Sequence, residues 1–180
     1  MDKRIVVFVL TAVLSIGSQA DTANYEEVAA YVGVPPKMLY AIAMTESGLY
    51  RNGESLPWPW TLNIAGHPKR YSDRAAMFEG LMSALRSGQT RIDIGPMQVN
   101  WYWQYELISS PWTITDPVVN FKVGAAIFKR HYTESGDWWT AVGRYHRPAQ
   151  TAKHQAAAEH YRGKVREALQ DAFPDEVEDV

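Results

Sequence analysis

The 180-residue chain contains no cysteine. Disulfide staples, thiolate zinc sites, iron–sulfur clusters and a lipid-modified N-terminal cysteine are therefore excluded, and the core alone must hold the fold. A basic excess is missing too: 18 Lys and Arg face 20 Asp and Glu, for a formal charge of −2. Neutralising phosphates calls for the opposite balance, so no nucleic-acid partner is expected. No apolar run reaches the roughly 20 residues that span a bilayer as a helix. Internal repeats and low-complexity linkers are absent, and the length suits one domain. What remains is an ordinary globular composition, 46% hydrophobic and 21% charged, which excludes disorder along the whole chain. The one excess is aromatic, seven Trp and ten Tyr, rings of the kind that sugar-binding clefts use.

The N-terminus reads as an address. Asp2, Lys3 and Arg4 precede an apolar run from Ile5 to Ile16, and the small residues Ser18 and Ala20 flank Gln19. This is the pattern of a secretory signal peptide over residues 1–20, cleaved after Ala20. A periplasmic protein starting at Asp21, with no membrane span and a formal charge of −3, is the expectation. An uncleaved anchor or a buried first helix is the alternative.

The rest reads as one mainly α domain (α+β) over residues 21–170 with a small β insertion. Tyr25, Val28, Ala29 and Val32 recur at helical spacing, which predicts a helix starting near Thr22 and stopping at Gly33. Pro35-Pro36 opens a second helix, where a missing N–H costs nothing, and Gly48 closes it. Trp60, Leu62 and Ile64 alternate with polar or small residues inside a Pro-rich stretch, which predicts a short strand, with Arg91 to Gly95 as its partner. Ser72 is expected to cap a helix running to Gly88. Further helices are expected over Met97–Leu107, Pro117–Tyr132, Asp137–Tyr145 and Pro148–Leu169, with Asp73, Asp116 and Asp137 as caps. Residues 171–180 hold five acidic side chains and no basic one, an acidic tail.

Glu46 breaks the pattern of the second helix. The apolar stripe Leu39, Ile42, Ala43 continues onto this carboxylate. Burial raises a carboxylic acid's pKa, and the negative end of the helix pushes the same way. A Glu kept protonated near neutral pH is what a general acid for glycosidic cleavage requires. The bland reading is a boundary Glu reaching solvent over the helix end, and periodicity alone does not separate the two.

Four short motifs follow one another in order. Thr45-Glu46-Ser47-Gly48 comes first, then Asp93-Ile94-Gly95-Pro96-Met97-Gln98-Val99-Asn100, then Asp116-Pro117-Val118-Val119-Asn120, and last Gly143-Arg144-Tyr145-His146. In this order they resemble the SLT domain of lytic transglycosylases, a family of lysozyme-like fold, over about Tyr25 to His146. That family shows a Glu-Ser at a helix end, a Gly-Leu-Met-Gln stretch, an Asn opening a later helix and a Tyr near the C-terminal side. The Trp-rich insertion between Glu46 and the Gly-Pro-Met-Gln stretch resembles the subgroup tied to conjugative elements and type IV secretion. Two positions depart from the pattern: Pro96 stands where Leu is commoner, and His146 where Asn is frequent.

The resemblance implies a peptidoglycan enzyme without cofactor or metal. Most glycoside hydrolases pair two carboxylates; lytic transglycosylases use one, and the substrate's own C6 hydroxyl attacks. The resemblance makes Glu46 the acid and then the base, and has Tyr145 stabilise the charged sugar. Ser47, Met97, Gln98 and Asn120 are expected around the substrate, Met97 as apolar wall and Gln98 as a donor to the N-acetyl groups or to Glu46, with capping of the helix after Pro117 or bracing of the site as the favoured role for Asn120. Trp58 and Trp60 stand in a Pro-rich insertion whose loop could present them to the glycan, with a place in the core as the alternative for either ring. Of Trp101 and Trp103, two apart in a helix, at least one is expected to be partly exposed or in the cleft wall. Asp93 is expected to face solvent between Ile92 and Ile94; placed in the cleft instead, it would favour a lysozyme-type hydrolase. A catalytically silent glycan-binding scaffold is the third reading. Partners are peptidoglycan strands and components of a conjugative or type IV secretion apparatus.

Overall fold

The computed structural model describes residues 25–149 and 151–174. The signal-peptide reading of residues 1–20 lies outside them, as do the acidic residues beyond 174. Helix α2 (Pro36–Ser47) has the expected bounds, with proline at its first position, and α1 (Tyr25–Val32) stops at Gly33 as expected, while the expected start near Thr22 lies outside the described residues. Leu39, Ala41, Ile42 and Ala43 have no exposed surface, so α2 is buried on several sides and forms the centre of the molecule. It turns directly into β1 (Gly48–Arg51). A Cβ at Gly48 would stand 2.5 Å from the Met44 carbonyl oxygen, which restricts this junction to glycine.

Strand β1 pairs antiparallel with β2 (Glu54–Pro57) as a separate hairpin. A second sheet holds β3 (Thr61–Ile64), β4 (His67–Arg70), β5 (Ile92–Ile94) and β6 (Val99–Asn100) in the order β4-β3-β5-β6. The expected pairing of the Leu62–Ile64 run with Arg91–Gly95 is present, with Leu62 opposite Ile94 and Ile64 opposite Ile92. Leu62, Ile92 and Ile94 enter the core together. Period two then puts Asn63, Asp93 and Asn100 in one cross-strand row on the other face.

Helix α3 (Arg74–Arg86) separates β4 from β5. Its cap is Asp73, which accepts from Ala76 N–H, while Ser72 donates its hydroxyl to Asp73 instead of capping. The helix expected over Met97–Leu107 breaks into strand and shorter pieces. Gly95 and Gln98 have φ of 73° and 45°, so the chain turns back and Val99–Asn100 pair with β5. Asn100 then caps α4 (Trp101–Gln104), followed by a 3-10 turn over Tyr105–Leu107 and by α5 (Pro111–Ile114). Long α6 (Pro117–Ser135) and α7 (Trp138–His146) start at Asp116 and Asp137, whose carboxylates accept the first free N–H groups.

Helix α8 (Ala152–Ala172) begins later than Pro148 and ends later than Leu169. Phe173 packs edge-on against Tyr40, 5.7 Å between ring centres, so the end of α8 belongs to the domain. Helix α8 lies along α2, and α7 bridges α6 and α8. The molecule is a lysozyme-like α+β domain, mainly helical with small sheets. No helix among the described residues is long and apolar enough to cross a membrane.

Candidate active site

Packing α2, α7 and α8 together brings the last turn of α2, the end of α7 and the middle of α8 to one place. Glu46 arrives from the first, Tyr145 and His146 from the second, and Tyr161 from the third. The buried stripe of α8 is Ala158, Tyr161, Val165 and Leu169, so Tyr161 stands on a core-facing row as Glu46 does. Its hydroxyl donates to Glu46 Oε1 at 2.7 Å. The ring of His146 stacks on that of Tyr161, 4.6 Å between centres and 4° from parallel.

Electrostatics at Glu46 follow from this enclosure. Burial pushes its pKa up to about 7. The Tyr161 hydrogen bond opposes the rise, the charge of Asp93 adds to it, and Lys164 and Arg147 pull it back. Burial also raises both phenols well above their ordinary range, helped by the Glu46 charge, so Tyr145 and Tyr161 remain hydrogen-bond donors. His146 is pushed down to about 4 by burial and by the cations Arg147 and Lys164 and His160. It is a neutral ring at the pH where Glu46 titrates.

Opposite lies the turn Gly95-Pro96-Met97-Gln98, and here most polar groups are already engaged. Asn120 has no exposed surface. Its Oδ1 accepts from Met97 N–H at 2.9 Å, and its amide donates to the carbonyls of Ile94 at 2.8 Å and Ile114 at 3.3 Å. A Cβ at Gly95 would come within 2.6 Å of that amide, so positive φ and close approach both call for glycine. Ser47, 1% exposed, lies within hydrogen-bond distance of the Ala43 and Pro96 carbonyls, 2.9 Å each. Tyr145 donates its hydroxyl to the Met97 carbonyl at 2.7 Å. Helix α2, α6 and α7 are each tied to the same four-residue turn.

These bonds correct several expectations. Asn120 takes the bracing role and has no surface for substrate. Ser47 is likewise enclosed. The Met97 side chain is fully buried and packs on α6 against Gly124, so it is core, not cleft wall. Gln98 keeps partial exposure, with its amide donating to the Gly95 carbonyl at 2.9 Å. Trp58 and Trp60 flank strand β3 and are only partly exposed. The indole of Trp58 donates to Tyr71 O at 3.0 Å and lies under Arg51, and Trp60 packs on the core. No free loop presents either ring.

Asp93 differs from expectation for a reason the register makes clear. It does point away from Ile92 and Ile94, but that face of the sheet turns toward Glu46. It is half-buried, its pKa is raised by burial, and its carboxylate accepts from the Asn100 amide at 2.6 Å. Beside it the Asn63 Oδ1 is buried with no hydrogen-bond partner. Tyr161, Asn63 and Asn100 are the residues sequence reasoning missed. Only Tyr161 left a signal, a phenol on the apolar row of α8.

A cavity of about 810 Å³ adjoins the site, lined among others by Tyr25, Tyr40, Leu56, Lys164 and Phe173. It shares Thr45 and Lys164 with the surroundings of Glu46, but neither Glu46, Tyr145 nor Tyr161 lines it. Among the described residues no group of three or more His, Asp or Glu side chains is placed to hold a metal ion. The arrangement can give up a proton near neutral pH and take it back, beside phenols that stay neutral. A sequence model of the transglycosylase SLT domain matches residues 24–166. Neither a curated protein nor a solved structure matches the chain.

Proposed function

The chain belongs to the transglycosylase SLT domain family, transglycosylase-type enzymes acting on peptidoglycan, and from that premise we propose that it cuts the MurNAc–GlcNAc β-1,4 bond to leave a 1,6-anhydro end. The observation that carries this reading is Glu46, a carboxyl with its pKa near 7 at the meeting point of three helices. At neutral pH a large fraction of Glu46 is protonated and ready to act as acid. It gives its proton to the glycosidic oxygen as the bond to C1 breaks. The resulting carboxylate removes the proton from the C6 hydroxyl of the same sugar, whose oxygen bonds to C1. The proton count closes, and Glu46 ends as it began. Attack from within the substrate brings effective molarities on the order of 10⁵ M or more, so no second carboxylate is needed.

Tyr161 aims the Glu46 carboxyl and keeps its pKa from rising further. The Tyr145 oxygen, having donated to Met97 O, still has lone pairs free to accept. It accepts a hydrogen bond from the sugar and lies near the charge that develops at C1. Gln98 supplies a polar contact to the N-acetyl group. Cleavage in the periplasm, opening the wall locally for a conjugative or type IV secretion apparatus, rests on the signal-like N-terminus and the Trp-rich insertion.

The position of Asp93 favours a second reading, in which it activates water and the product is that of a lysozyme. Mass spectrometry of digested peptidoglycan separates the two. Fragments one water lighter than hydrolysis products, absent with Glu46→Gln, are expected. Ordinary reducing ends would make Asp93 the base, and no fragments from wild type would leave a glycan-binding scaffold.

A further inference from the structure

Five of the nine exposed large apolar side chains among the described residues, Tyr102, Trp103, Tyr105, Leu107 and Trp112, fall between positions 102 and 112. Exposed large apolar side chains gathered in so short a stretch point to an interaction site. The five are not equivalent. Trp112 has its ring covered by Arg74, with the guanidinium 4.1 Å from the ring centre, and meets Phe78 edge-on. Trp103 is 75% exposed and touches Tyr102 in a T-shaped pair, 4.8 Å and 88°. A perpendicular neighbour fixes the orientation of the indole, and its high exposure leaves room for a ligand ring.

The place of Trp103 connects it to the candidate active site. Asn100 donates to Asp93, whose charge reaches Glu46, and the same Asn100 side chain accepts from Trp103 N–H at 3.1 Å. The row Asn63, Asp93, Asn100 therefore leads along the sheet from the neighbourhood of Glu46 to the first turn of α4. At the other end of the row, across Asp93 from Asn100, stands the buried, unpartnered Asn63 oxygen. Between Trp101 and Thr115 the one charged residue is Glu106, so the surface suits a neutral ligand with apolar faces and many hydroxyls. A pyranose ring meets that description.

We propose that Trp103, oriented by Tyr102, is a stacking platform for an N-acetylhexosamine ring of the glycan strand, placed beyond the Asn63–Asp93–Asn100 row from the bond that is cut. The proposal rests on the glycan strand being the substrate. It assigns Trp103 a role in holding the strand and none in the chemistry. Because the ring is exposed, its loss leaves the fold unchanged.

Binding and turnover are measured separately, so that the two readings fail separately. Chitotetraose and amidase-stripped glycan strands are titrated into Glu46→Gln protein with and without Trp103→Ala, following Trp fluorescence and sedimentation. Trp103→Ala is expected to weaken binding about five- to tenfold, with Trp103→Phe recovering part of it. In the active enzyme the same change raises KM by a like factor and leaves kcat within about twofold, with the thermal midpoint unmoved. Equal binding of strands by the Trp103→Ala and parent proteins would overturn the platform, whatever the turnover. Binding that depends on Trp103 in a protein without turnover would keep the platform and remove the catalytic reading. A concentration-dependent dimer lost in Trp103→Ala, with glycan binding intact, would assign the surface to a second copy of the chain and overturn the proposal.

Discussion

The two sides of the candidate active site are built on opposite principles. On the turn side, around Gly95 to Gln98, the hydrogen bonds of Asn120, Ser47 and Tyr145 converge on backbone groups. Those bonds hold shape and leave little capacity for a ligand. On the helix side, Glu46 is enclosed with one direct partner, Tyr161, and a pKa moved far from its ordinary value. A group held in this strained electrostatic state has free energy to release when a proton moves. The contrast explains why motif residues divide as they do: Asn120, Ser47 and Met97 secure the turn, while Glu46 is left poised.

The contrast breaks first at Asn120. Asn120→Ala leaves Met97 N–H without its acceptor and two buried carbonyls without a donor. Buried groups left unpaired cost about 1–3 kcal/mol each, so a loss of about 3 kcal/mol in urea unfolding is expected. A loss below about 1 kcal/mol would mean that the turn holds itself and that the bracing account is wrong.

Glu46→Gln should do the reverse on the helix side. The folded pKa of about 7 lies above the ordinary value of 4.5. The carboxyl is therefore tolerated below pH 4.5, and its ionisation removes stability as the pH rises through 7. The neutral amide can still accept from Tyr161 and carries no charge to bury. At pH 8 the variant should be more stable by on the order of 2 kcal/mol, a figure discounted for the partial exposure of Glu46. At pH 4 the two proteins should unfold alike. His146, lowered to about 4 from 6.5, works in the opposite sense, losing stability as pH falls from 6.5 toward 4. Both proteins carry it, so it cancels from the difference. Equal stability at pH 8 would show that Glu46 is better solvated than its surroundings imply.

Tyr161→Phe sharpens the contrast with a smaller effect. The Tyr161 hydrogen bond lowers the Glu46 pKa, so its removal raises it. The alkaline limb of the kcat/KM profile should move up by roughly half a unit to one unit. A limb that stays in place, or moves down, would mean that Glu46 is not the group whose protonation limits the reaction.

How much of this was legible in the chain depends on whether the signal is local. Helix starts at Pro36, Asp73, Asp116 and Asp137 could be named because a cap or an N-terminal proline acts within three residues. The pairing of β3 with β5 was legible because each run shows its own period-two alternation, a local signal, although about 30 residues separate them. The helix expected over Met97–Leu107 was not, because apolar and aromatic residues there fit either period, and the deciding event is the positive φ at Gln98. Glu46 stood out as a carboxylate on an apolar stripe. Tyr161 left a weaker signal, because a phenol on an apolar row gains meaning only when its hydroxyl is found against Glu46, 115 positions away.

Composition, periodicity and motif order determined a lysozyme-like, mainly helical chain without cysteine and with Glu46 at the end of a buried helix. These follow from chemistry acting between near neighbours. Which face of the β5 sheet looks into the site, which motif residues are enclosed, and which phenol reaches Glu46 were decided by the packing of α2, α7, α8 and the sheet. A side chain's direction relative to its own strand or helix is a local property. Whether that direction ends in water, in core or beside a carboxylate depends on what the rest of the chain places there.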